Sequence, residues 1–134
     1  MKYVVLLSIA FVLIGTVARA VSESWVEVAG GAFVIQPADL DRLHASLPTR
    51  ITDAARAQGK TLPRWDQYLI QYQARLIDGR RAIEIQGSCH HDVQVNIRRV
   101  FVGDEIMDGG TCYFKIVYLV DSGRYSNVFF HGLA

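Results

Sequence analysis

The sequence predicts an α+β fold, with one N-terminal helix packed on a curved four-stranded antiparallel sheet. Three observations predict it. An apolar stripe at spacings of three and four runs through residues 37–58. From residue 67 the hydrophobic period changes to two. The dipeptide Asp78-Gly79 then divides two alternating segments, as a tight hairpin turn does.

The chain has 134 residues and opens with an export signal. Lys2 precedes an uncharged apolar run, Val4–Ile14, and the small residues Ala18 and Ala20 flank Arg19. A basic start, an apolar centre and a small-x-small end make a cleavable leader over residues 1–20. Arg19 interrupts the run short of the roughly 20 apolar residues that a membrane span needs. No Cys follows the run, so a bacterial lipid anchor is excluded. The working protein is then residues 21–134, a length that suits one domain with one core. Of the 14 Lys+Arg, Lys2 and Arg19 fall in the leader, which leaves the remainder near neutrality against 13 Asp+Glu. Such a balance argues against a general nucleic-acid binder, whose surface carries a basic face. It also argues against attachment to anionic lipid by charge alone.

Within the domain, Trp25-Val26-Glu27-Val28 alternates as a short strand would, and Gly30-Gly31 breaks it. Pro37 starts the helix, where its missing N–H loses nothing, and Asp39 and Asp41 suit the positive end of the dipole. Leu40, Leu43, Leu47, Ile51, Ala54 and Ala55 form the buried stripe, and Gly59 suits the stop. Pro48 lies inside this pattern, so the helix is expected to bend or break there. Residues 68–76 and 81–86 then pair about Asp78-Gly79, with Ile77 opposite Arg80 and Tyr72 opposite Ile85. That register puts Tyr68, Ile70, Tyr72, Ala74, Ile83, Ile85 and Cys89 inward. Gln71, Gln73, Arg75, Glu84, Gln86 and Ser88 fall on a face expected to be solvated. Further strands are expected near Gln94–Val102, Cys112–Val120 and Arg124–Gly132. Pairing Val120 with Tyr125 turns Cys112, Phe114, Ile116, Tyr118, Asn127, Phe129 and His131 inward. The layout is cystatin-like.

Cys89 and Cys112 are the only cysteines. In an exported chain an isolated pair forms a disulfide. The same register leaves Tyr113, Lys115, Val117, Leu119, Val128 and Phe130 on an outer face that is largely apolar. A contiguous exposed apolar patch marks a partner site, so Tyr113, Val117, Leu119, Val128 and Phe130 are the candidate partner surface, either for an envelope or extracellular protein or for a second copy of the chain. The alternative is a small enzyme or metal site built on His90, His91 and His131, with Asp92 adjacent. Neighbouring residues in a strand point to opposite faces, and metal sites gather ligands from separated positions. A grouping of His131 with Asp121 and Tyr125 would be needed for acid–base work. No nucleophile elbow, zincin, phosphate-loop or dinucleotide motif is present, and no cofactor is expected.

Tyr68–Gln73, Asp108–Phe114 and Ser122–Asn127, with the terminal His131-Gly132-Leu133-Ala134, resemble a group of small exported bacterial proteins of uncharacterised function. Members share a leader, a helix, a Tyr/Gln-rich strand, paired cysteines and an Asn-Gly-x-Ala end. His131 stands where that pattern has Asn. The resemblance spans residues 37–134 and implies an envelope location, periplasmic or secreted. It brings no known activity; the apolar outer face and the absence of enzyme motifs point to a non-enzymatic binding or inhibitor-like module.

Overall fold

A computed structural model describes residues 25–89, 96–102 and 110–131. The elements are β1 (Trp25–Glu27), α1 (Pro37–Ala57), a 3-10 turn (Trp65–Gln67), β2 (Leu69–Ile77), β3 (Arg80–Ser88), β4 (Gly110–Leu119), β5 (Arg124–Tyr125) and β6 (Phe129–His131). The strands form one sheet in the order β1-β2-β3-β4-β5, with β6 also paired to β4. The α+β class and the single helix hold. Among the described residues, however, the sheet has six strands rather than four and is mixed, because β1 runs parallel to β2. Parallel neighbours need a long crossover, and α1 supplies it. The expected leader, residues 1–20, lies outside the described residues.

Helix α1 runs unbroken through Pro48. Proline there costs about 3 kcal/mol. Leu43, Leu47 and Ile51 are wholly buried on one stripe, each contributing about 1.5–3 kcal/mol, so packing on the sheet outweighs the lost hydrogen bond. The helix ends on Gly59 at φ 64°, where the Gly59 N–H donates to Arg56 O and the Lys60 N–H to Ala55 O. This pair of bonds satisfies the last carbonyls and requires a left-handed residue.

The Asp78-Gly79 turn has both residues at positive φ, 51° and 73°, the type I′ geometry that matches strand twist. It sets the expected register, with Ile77 opposite Arg80 and Tyr72 opposite Ile85. Tyr68, Ile70, Tyr72, Ile83 and Ile85 accordingly meet Leu43, Leu47, Ile51, Phe114, Ile116 and Tyr118 in the core. Cys89 and Cys112 form the expected disulfide, with Cα atoms 4.9 Å apart.

Three expectations are corrected. Residues 96–102 form a turn and not a strand, while Gln94 and Val95 lie outside the described residues. The backbone groups of Ile97, Val100 and Val102 find a side chain instead of a ladder. Gln71 Nε2 donates to Ile97 O at 2.8 Å and Val100 O at 2.7 Å, and the Val102 N–H donates to Gln71 Oε1 at 2.8 Å. Next, the polar face of the first hairpin is not solvated: Gln71, Gln73, Glu84, Gln86 and Ser88 are all buried. The turn at 96–102 covers Gln71, and Gln73 Nε2 donates to Ala29 O at 2.6 Å. Burial of Gln71, Gln73 and Glu84 is tolerated because backbone and charged partners meet them.

The last correction is a register slip at the C-terminus. Tyr118, not Val120, opposes Tyr125, and after an irregularity Phe130 opposes Phe114 while Phe129 opposes Lys115. A one-residue shift reverses every side chain. Val128 and Phe130 are therefore in the core, and Phe129 is 61% exposed. Both were expected outside, with Phe129 inside.

Candidate binding face

The side of the sheet turned away from α1 is divided. Toward β1 it is roofed by the turn at 96–102 and by the backbone near Ala29, whose N–H donates to Arg98 O at 2.7 Å. Toward the hairpin end of β2 it stays open. There an open hollow of about 550 Å³ is lined by Gly30, Ala32, Ala74, Arg75, Glu84 and Lys115, with Leu76, Ile77 and Val117 beside them.

Register explains how three charges converge in this hollow. Gln73 opposes Glu84, Arg75 opposes Ala82, Glu84 opposes Val117 and Gln86 opposes Lys115. Arg75 and Lys115 are thus diagonal neighbours of Glu84 on the same face, within reach of long side chains. Arg75 Nε lies 2.9 Å from Glu84 Oε2, and Lys115 Nζ lies 2.7 Å from Glu84 Oε1. The Glu84 side chain is only 8% exposed, against 53% for Arg75 and 42% for Lys115. A carboxylate this deep needs charged partners, and here it has two. Their apolar stems line the floor while their heads face water. Ile77, on the same face of β2 as Arg75, is exposed at the mouth.

The chain matches no protein-family model, no curated protein and no solved structure. Residue geometry therefore carries the functional argument alone.

Of the expected surface residues, Val117 and Leu119 are half-buried on this outer face, and Val117 lines the hollow. Tyr113 is also on this face but buried, opposite Ser88 and 6.1 Å from the His131 ring. Val128 and Phe130 belong to the core, so the five residues do not form one surface. His131 does not point inward. It packs against Tyr113 and, at 5.4 Å, against the exposed ring of Phe129. His90, His91 and Asp92 lie outside the described residues. Among the described residues no three His, Cys, Asp or Glu side chains gather as metal ligands. Asp121 is held by Arg81 at 2.5 Å, and the Tyr125 hydroxyl pairs with Ser46 Oγ at 2.6 Å. The imagined group of His131, Asp121 and Tyr125 is therefore not assembled.

Burial raises the Tyr125 hydroxyl's pKa, with the Ser46 hydrogen bond acting against it. Burial likewise raises Tyr72, aided by the Glu27 charge, and raises Tyr68 further. The Tyr68 hydroxyl donates to Thr111 O beside the disulfide. The hydroxyls of Tyr68 and Tyr125 serve as structural ties.

Arg75, Glu84 and Lys115 were not singled out by sequence. The Arg75–Glu84 diagonal follows from the Asp78-Gly79 turn and was readable. Lys115 requires the pairing of β3 with β4, across a connection that no tight turn specifies.

Proposed function

We propose that this chain is a non-enzymatic binding module of the bacterial cell envelope, periplasmic or secreted, that engages a protein partner through the open half of its outer sheet face. The observation that carries this reading is the hollow, where two half-exposed cations flank a buried carboxylate beside exposed Ile77. Apolar side chains beside a half-exposed Arg match the composition of recognition surfaces, in which Arg is enriched and the rim is polar. The disulfide supports export, since such bonds persist in oxidising compartments. Among the described residues no helix is long and apolar enough to cross a membrane. The short edge elements β1 and β5, three and two residues long, limit strand addition at either side and favour recognition by the face. The cystatin-like layout and the inhibitor-like role belong to this same reading.

The test is affinity capture from an envelope extract of the producing organism, with residues 21–134 as bait and an Ile77→Asp/Val117→Asp bait beside it. Circular dichroism verifies that both fold. A protein retained by the first bait, lost with the second and bound directly when purified supports the role. If both baits retain the same proteins, or neither retains any, the open face is not the binding surface. A bait that retains only its own copies, dimeric by light scattering, replaces an outside partner with self-association.

A further inference from the structure

We propose that the hollow at Arg75, Glu84 and Lys115 receives the carboxylate of an acidic residue flanked by apolar side chains on a partner protein. This rests on the binding role above and gives its chemistry. Charge and donor count carry it. One carboxylate faces two cations, so the cluster keeps one net positive charge where the mature chain as a whole is near neutral. Arg75 meets Glu84 through Nε, and its two terminal nitrogens have no partner among the described residues. Those nitrogens form the fork that grips a carboxylate through two parallel bonds. Lys115 has three donors, and Glu84 takes one at 2.7 Å. Both heads are about half exposed, so a second carboxylate reaches them without displacing the first.

The surroundings select the rest of the partner. Ala32 and Val117 give the hollow apolar walls, and Ile77, on the same face of β2 as Arg75, stands 40% exposed at its mouth. A free carboxylate would leave those groups in water. A carboxylate between two branched apolar side chains covers them. The hollow is open, whereas sites for small ligands enclose most of the ligand surface, which favours a segment presented by a folded partner. Gly30 and Ala32 project nothing large into it, so a peptide backbone can approach.

The test is a chemical-shift titration of residues 21–134 with the capped peptide acetyl-Leu-Glu-Leu-amide, using its Gln counterpart and acetyl-Gly-Glu-Gly-amide as comparisons. Saturable shifts at Ala74, Val117 and the Arg75 Nε–H are expected with the first peptide, and weaker binding by about tenfold with either comparison. Two variants separate recognition from structural support. Arg75→Gln is expected to weaken binding by about tenfold. Glu84→Gln, which removes the internal competitor, is expected to tighten it by about threefold or more. A purely structural cluster would lose binding in both. Lys115→Met serves in place of Arg75→Gln if thermal unfolding shows that variant is not folded. Equal binding of the Gln peptide, weakened binding in Glu84→Gln, or no shift at these residues overturns the proposal. Capture by the open face would still decide the binding role separately.

Discussion

Replacing Gln71 with Leu should release residues 96–102 from the sheet. Gln71 is 1% exposed and makes three hydrogen bonds to that turn, two donated to the carbonyls of Ile97 and Val100 and one accepted from the Val102 N–H. Leu has nearly the same volume and none of the polar atoms, so the substitution isolates the bonds from the packing. Each bond contributes about 0.5–1.5 kcal/mol net, which sets a loss of about 3 kcal/mol if the turn stays docked. The turn residues are only half-buried or exposed. Undocking hydrates their carbonyls and caps the loss below that figure. Urea unfolding measures the total. Hydrogen exchange at the Val102 amide measures the local event, because Gln71 Oε1 is its acceptor. The expected pair of results is a lowered urea midpoint and loss of Val102 protection, with protection at Ile83 and Ile85 falling only by the global amount. An unchanged midpoint together with unchanged Val102 exchange would refute the argument that this side chain anchors the turn.

Three further outcomes follow from the packing, the disulfide and the buried tyrosines. A Cβ on Gly87 would lie 2.0 Å from Cε1 of Phe114, its direct cross-strand partner, so Gly87→Ala should cost about 1–3 kcal/mol by overpacking, and Phe114→Leu in the same chain should recover part of it in a double-mutant cycle. Replacing Cys89 and Cys112 with Ala opens a loop of sequence separation 23 and should lose about 3 kcal/mol; equal urea midpoints for the variant and the oxidised parent would contradict this. Tyr68, Tyr72 and Tyr125 have raised pKa values in the folded state, so above about pH 10 the unfolded chain releases protons that the folded chain keeps. Stability is then full below that pH and falls as pH rises, which urea midpoints on either side of it and tyrosinate absorbance together would show; a flat profile would mean that these hydroxyls ionise without unfolding.

The local elements were legible because their information is local. The stripe Leu43, Leu47 and Ile51 has helical spacing whatever it packs on. Asp78-Gly79 sets the register of β2 against β3 because a two-residue turn admits only one pairing. Two cysteines in an oxidising space admit only one intramolecular bond. Even Pro48 was visible as a strain, though not that three wholly buried aliphatic side chains would hold the helix through it.

Alternation determined which residues share a face of β2 and β3, but not what covers that face. Gln71, Gln73 and Glu84 are polar in a strand and so read as solvated. Only the tertiary structure brings the carbonyls of Ala29, Ile97 and Val100 onto the two amides, and Arg75 and Lys115 onto Glu84. Polarity in sequence measures the need for a partner, and water, backbone and counter-charge satisfy that need alike. The strand at Phe129–His131 shows the same division. Its apolar residues are adjacent, so either parity fits the pattern, and an irregular step after β5 decides that Phe130 enters the core while Phe129 faces solvent. The sequence by itself determined the helix, the hairpin and the disulfide; long-range pairing decided the parallel β1, the buried polar layer and the charged hollow, because each depends on a register that no local turn specifies.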